Sequence, residues 1–413
     1  MATSSKVISL QLALLSYICP SSPASAAEFS LTPAISASEE VNDNILGTAH
    51  DRRTEFVTRL QPGAAVSYRA PSLNGDLSYS FDYRNYARGT RQDQENHLLE
   101  MRAEAELVQH FFILELKDSL SRVSLDVARD VTTESLFSNQ ADRNQGSVTP
   151  YLLWRLGAKN VLKTGYRFTD TSYWSAPGID KREHRAFADL TLEPAERLSV
   201  SAGYAFGRVL TDLVEYDQHD LSSGFRYQLA EQSFIYGGIG NSWQSFSHGR
   251  SVSNLFWHAG LTQEFGLFLA TAESRVRYTE DPLAVSTKET LYTALLERKL
   301  EQGTVGVSAG YSKYLDTSIG ASDRQKRAIG GFLRYDFTPR LATSFAVTGD
   351  KVKQSSVSDY PYRLSGTAGM SYIFNYDAVA SLSYSYIDYR RDWDSSEDAR
   401  QTNRVILSLK KTF

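Results

Sequence analysis

Seven histidines and one cysteine bound the chemistry open to this chain of 413 residues. His258 follows Asn254 by four positions, which on a strand puts both on one face, and His184 sits beside Arg185. Neither has a serine or a second acid at a spacing that would bring nucleophile, base and orienting group within hydrogen-bond reach. HExxH, P-loop and paired CxxC patterns are absent, so nothing in the sequence marks metal or nucleotide chemistry. Cys19 follows the bulky Tyr17 and Ile18, unlike a lipid-attachment site. A mature chain lacking Cys19 can hold no disulfide, cysteine-bound metal or CxxCH haem. The expectation is a protein that is not an enzyme and carries no cofactor.

The side chains that could act on a solute are charged ones recurring at alternate positions. Arg84, Glu100, Arg102, Glu104, Glu106, Lys163, Arg167, Arg185, Asp189, Arg226, Glu273, Arg275, Arg277, Arg334 and Asp336 fall on one face of their segments, as do Tyr86 and Tyr314. If that face lines a pore, interspersed signs keep it wet but discriminate weakly, whereas a ring of one sign selects ions. Arg275 with Arg277 is the best selectivity candidate, because like charges project from one face of one strand. The plainer role for each residue is pairing with a neighbouring strand to stiffen a wall.

Alternation with a period of two positions these residues. Leu77, Tyr79, Phe81 and Tyr83 interleave with Ser78, Ser80, Asp82 and Arg84, and Leu198, Val200, Ala202, Tyr204 and Phe206 with smaller residues. Similar runs cover Val305 to Ser312 and Ala378 to Tyr386. A soluble sandwich would also alternate. These runs last about 10 to 15 residues, however, against roughly 5 or 6 in soluble strands, and tilted membrane strands need the extra length.

Turn signals recur about every 36 residues, with one longer interval before Gly157. They fall near Pro71 to Gly75, His110, Gly157 to Asn160, Pro194 to Arg197, Ala230 to Gln232, Gly266, Gln302-Gly303, Thr338 to Arg340 and Asn375 to Asp377. Polar loops lie between them at Gly89 to Glu95, Ala176 to Lys181, Ser247 to Ser251, Asp281 to Thr287 and Trp393 to Arg400. This predicts an all-β, transmembrane, antiparallel up-and-down barrel of about 20 strands, within a range of 16 to 20, with tight periplasmic turns and longer extracellular loops. A propeller would need shorter strands and a closing motif. The segment from Ala128 to Gly146 breaks the spacing, and with Asp130, Glu134, Asp142 and Arg143 it is either a constriction loop folded into the lumen or an extracellular loop.

Both ends agree with export. Lys6, an apolar run from Val7 to Ile18 and Ala24-Ser25-Ala26 predict a cleaved signal peptide over residues 1 to 27, leaving a barrel domain at 28 to 413. The apolar run is shorter than the roughly 20 residues of a spanning helix. Val405, Leu407 and Leu409 lead to a terminal Phe413, similar to the signal read by the barrel-assembly machinery, although Lys411 stands where an apolar residue is usual. Lys and Arg total 44 against 48 Asp and Glu, a balance that argues against a nucleic-acid partner. With 24 Tyr and 20 Phe, several near strand ends, interfacial girdles against outer-membrane lipid are expected.

The first half of the chain also resembles the outer-membrane proteins associated with PEP-CTERM/exosortase and exopolysaccharide systems. The resemblance rests on Leu31-Thr32-Pro33, Glu39-Glu40, Asn42-Asp43-Asn44, Pro62-Gly63, Asp82-Tyr83-Arg84 with Tyr86, Thr149-Pro150-Tyr151, and Gly165-Tyr166-Arg167 with Tyr173. It implies an outer-membrane barrel near a polysaccharide or export-apparatus partner and brings no catalytic residues. Two functions fit: a porin-like channel for passive passage of hydrophilic solutes, linked to exopolysaccharide export, or a non-conducting barrel that anchors a polysaccharide secretion apparatus or sheathes an electron-carrier protein.

Overall fold

Long alternating segments can satisfy their backbone groups inside a bilayer only by pairing in a closed ring, because an open edge would leave amides and carbonyls bare in hydrocarbon. The structure, a computed structural model, describes residues 27–128, 140–174, 177–320, 323–353, 360–375, 377–394 and 398–413. The predicted signal segment, up to residue 26, lies outside them.

The first ten strands are β1 (Glu28–Asn42), β2 (Glu55–Ala70), β3 (Leu73–Tyr86), β4 (Gln94–Val108), β5 (Phe112–Ser124), β6 (Gln140–Arg155), β7 (Val161–Trp174), β8 (Lys181–Ala195), β9 (Leu198–Thr211) and β10 (Tyr216–Ala230). The others are β11 (Ser233–Phe246), β12 (Ser251–Phe265), β13 (Phe268–Thr279), β14 (Thr287–Leu300), β15 (Gly303–Asp316), β16 (Asp323–Thr338), β17 (Leu341–Lys353), β18 (Tyr362–Ile373), β19 (Ala378–Arg390) and β20 (Arg400–Thr412).

Each strand pairs antiparallel with its sequence neighbours, and β1 pairs with β20 from Ala34↔Thr412 to Asn42↔Arg404, closing a ring of 20 strands among the described residues. The seam is reinforced where the Phe413 amide donates to the Pro33 carbonyl at 2.9 Å and Asn403 Nδ2 to Asp43 Oδ2 at 2.7 Å. The start of β1 and the end of β20 lie at the rim that carries the tight turns. Those turns use left-handed residues where the chain must reverse sharply, with φ of 56° at His110 and 60° at Gly266.

Facing residues of paired strands share a side, so one assignment propagates around the ring. The apolar side is exposed: Val307 is 57% accessible, Ile329 69% and Leu407 58%, a belt turned toward lipid. Towards the loop rim a small structure recurs on this belt. Tyr79 Oη is hydrogen-bonded to His97 Nδ1 at 2.8 Å, Tyr166 to His184 at 2.5 Å and Tyr204 to His219 at 2.9 Å, with Phe81, Phe168 and Phe206 paired directly opposite the imidazoles. On β19 and β20 the Tyr384 hydroxyl donates to Asn403 Oδ1 at 2.7 Å, with Tyr386 opposite that asparagine.

Candidate functional site

The opposite side of every strand faces the bore. The structure puts Arg84, Tyr86, Glu100, Arg102, Glu104, Glu106, Lys163, Arg167, Arg185, Asp189, Arg226, Glu273, Arg275, Arg277, Arg334 and Asp336 there, as the registers linking β2 to β17 require. Many form pairs along the wall. Arg84 reaches Asp82 at 2.8 Å, a carboxylate also held by Arg59, and Arg102 reaches Glu115 at 3.3 Å. Arg185 bridges Asp220 at 2.5 Å and Glu183 at 3.4 Å. Arg334 meets Asp336 at 3.8 Å, and Glu100 accepts from the Ser119 hydroxyl at 2.6 Å. Lys163 instead lies over the Tyr151 ring at 3.7 Å.

The proposed selectivity pair is corrected by its surroundings. Arg275 contacts Glu273 at 3.2 Å and Arg277 contacts Glu289 at 2.7 Å, so the strand projects two neutralised pairs and not two free like charges. Where interleaved signs of this kind line an aqueous pore, they discriminate weakly between anions and cations.

At the loop rim the bore is bridged. Asp126, Val127 and Ala128, just beyond β5, extend inward until Ala128 packs on Tyr314 of β15 and Val352 of β17, with Val127 against them. β15 stands halfway round the ring from β5, so this contact spans the opening. Arg324 on β16 contacts Asp126 at 3.6 Å and also pairs with Asp281, whose side chain is fully buried.

Asp281 belongs to the β13–β14 loop, which folds against inward-facing residues of other strands. Lys181 on β8 donates to the carbonyls of Asp281 at 3.0 Å and Ala284 at 2.8 Å and pairs with Glu280 at 2.8 Å. The Tyr173 hydroxyl donates to Glu280 Oε1 at 2.9 Å, and the Ile179 amide to the Pro282 carbonyl at 2.8 Å. Val285 joins Val209, Tyr216 and Phe246 in a buried apolar cluster. Beside it Gln244 donates to Gln218 at 2.9 Å and Ser286 at 3.0 Å, while the Thr317 hydroxyl donates to Gln244 Oε1 at 2.9 Å.

The segment between Ala128 and Gly146, read as a constriction or an extracellular loop, is strand from Gln140 onward. Asp142 and Arg143 belong to β6, which begins at Gln140; Asp142 is paired with Arg122 of β5 at 2.9 Å and Arg143 is in register with Tyr173. Asp130 and Glu134 lie outside the described residues. The Asp281 to Thr287 segment, expected as an ordinary outer loop, is the better bridge.

No protein-family profile matches the chain, and no curated protein does. Several solved structures share its fold. The FrpB iron transporter from Neisseria meningitidis aligns with 92% of this chain and 81% of its own at 10% identity and a TM-score of 0.54. The siderophore receptor PirA from Acinetobacter baumannii aligns with 95% and 81% at 10% identity and a TM-score of 0.52. A mutant of the ferric enterobactin receptor PfeA from Pseudomonas aeruginosa aligns with 93% and 80% at 8% identity and a TM-score of 0.54. At such identities the likeness concerns the barrel alone. Together with the exposed apolar belt, it puts the chain in the outer membrane of a Gram-negative bacterium.

The bore also holds aromatic residues beyond Tyr86 and Tyr314. Tyr151, Phe187, Phe234, Tyr236, Phe256 and His258 all point inward, and Tyr173 does too. In Ser233-Phe-Ile-Tyr-Gly-Gly-Ile-Gly240 both strand faces are apolar, so alternation gave no means of telling the inward rings from the outward isoleucines. His258 neighbours Tyr236 and Arg275. Among the described residues, no cluster of His, Cys, Asp and Glu is arranged to hold a metal ion.

Proposed function

We propose that the protein is a porin-like conduit through which hydrophilic solutes cross the outer membrane by diffusion. The reading rests chiefly on the inner wall. Charged and hydrogen-bonding side chains, interspersed with aromatic and apolar ones, line it on a ring of 20 strands, a circumference that encloses more space than one inward layer of side chains fills.

The resemblance of the first half to exosortase-associated barrels extends the proposal to an envelope that exports exopolysaccharide, with a polysaccharide or export-apparatus partner. The terminal Phe413, paired into the seam beside β1, supports insertion by the barrel-assembly machinery. The bridged loop rim favours a second reading, a non-conducting barrel that anchors a secretion apparatus or sheathes an electron-carrier protein.

Planar-bilayer recording on the purified protein separates the two. Steady open channels, with liposome swelling that falls as the test sugar grows, are expected for the conduit; silence in both assays rejects it.

A further inference from the structure

The inner face of β10 to β13 holds an array that the wall does not need for closure. Phe234 and Tyr236 are stacked with centroids 6.1 Å apart and planes 29° apart, and Tyr236 and His258 follow at 6.0 Å and 28°. The Tyr236 and His258 rings lie over glycines. A Cβ on Gly260 would fall 2.5 Å from the Tyr236 ring, and one on Gly238 would fall 2.2 Å from His258 Cε1. A ring laid over a glycine presents its other face to the bore, where an edge would expose little stacking area.

Charges border this strip. Arg226, in register with Tyr236, lies 3.8 Å over the Phe234 ring, while Arg275 and Glu273 are in register with His258 and Gly260. Covering a glycine with an aromatic ring stabilises sheets by itself, and Phe225 does so over Gly237 on the lipid side. What distinguishes the inner strip is three consecutive rings, inclined to one another by 29° and 28°, the first covered by Arg226 and the last in register with Arg275.

The negative face of an aromatic ring attracts cations or the C–H surface of a saturated ring. Arg226 already places a positive charge on this strip, and Glu273 is paired with Arg275 at 3.2 Å, so no uncompensated carboxylate is left to attract a cationic solute. A pyranose offers a C–H face for stacking and hydroxyls that both donate and accept, matching guanidinium donors and a carboxylate acceptor at the rim. We propose that Phe234, Tyr236 and His258 form a binding track for a neutral oligosaccharide inside the bore. The track depends on the conduit reading only for access of the sugar to the wall.

Binding is measured by saturation-transfer NMR and calorimetry on the full chain in detergent, with maltohexaose as probe. The expected result is saturable binding that weakens about tenfold in Tyr236→Leu, which keeps Gly260 covered but removes the ring face. Tyr236→Phe is expected within about twofold of the parent and the lipid-facing Phe225→Leu unchanged. Absence of maltohexaose binding to the parent, or equal binding by Tyr236→Leu, overturns the track. If Tyr236→Leu fails to assemble, His258→Leu takes its place under the same criterion. Bilayer recording is independent: a silent barrel that binds the sugar keeps the track and loses the conduit, and a conducting barrel that ignores the sugar does the reverse.

Discussion

Replacing Arg324 with alanine should loosen the bridge across the loop rim. The guanidinium joins two segments: Asp126 beyond β5, at 3.6 Å, and the fully buried Asp281 of the β13–β14 loop. Stripping one partner from a buried charge pair costs roughly 3–5 kcal/mol when the remaining charge is left bare. Asp281 is not bare, since it still accepts from the Leu283 amide and the Thr287 hydroxyl, each at 3.0 Å. Halving the cost on that account leaves about 2 kcal/mol, an increase of roughly thirtyfold in the fraction of barrels with the bridge released. Single-channel recording would show this as longer dwell in a higher-conductance level, with heat-modifiable migration on gels confirming that the barrel itself is intact. An intact Arg324→Ala barrel with the parent's conductance and dwell times would refute the argument that these loops limit the opening.

Three further outcomes follow from the wall and its loops. Ile329→Arg, on the lipid side midway along β16, should destabilise the barrel by about 2–4 kcal/mol in urea titrations from lipid vesicles, whereas Ser308→Arg on the bore side should change stability little. Gly303→Ala would set a methyl 2.1 Å from the Arg334 carbonyl oxygen, so unfolding should become easier by about 1–3 kcal/mol in the same titration. Hydrogen bonds from the Asn85 side chain, the Tyr86 amide and the Tyr83 hydroxyl hold the Asp93 carboxyl below the usual carboxylate range. Its contribution to loop order is therefore complete above the unfolded-state pKa and lost as pH falls through the depressed one; limited proteolysis between Ala87 and Glu95 should accelerate over that interval in the parent but not in Asp93→Asn.

The barrel was legible because its physics is local: alternation sets the faces, and tight turns need residues such as His110 and Gly266. The exception was the start of β6, where Gln140 to Ser147 is polar or small on both sides, so no period marks the strand. The bridge at the rim was hidden for a different reason. Lys181 and Asp281 carry no common pattern, and only closure of the ring brings them together across 100 residues of chain. The inward rings escaped because Ile235 and Ile239 on the other face are as apolar as Phe234 and Tyr236.

The tyrosine–imidazole contacts on the lipid side recur at one height in the hairpins β3–β4, β7–β8 and β9–β10, and the Tyr384–Asn403 contact repeats the arrangement in β19–β20. Hairpins that keep a common vertical datum behave as interchangeable staves. Adding or removing one alters the circumference by two strands yet leaves every neighbour's hydrophobic band level with the bilayer, so cylinders of different bore could arise from such a chain by copying a single unit.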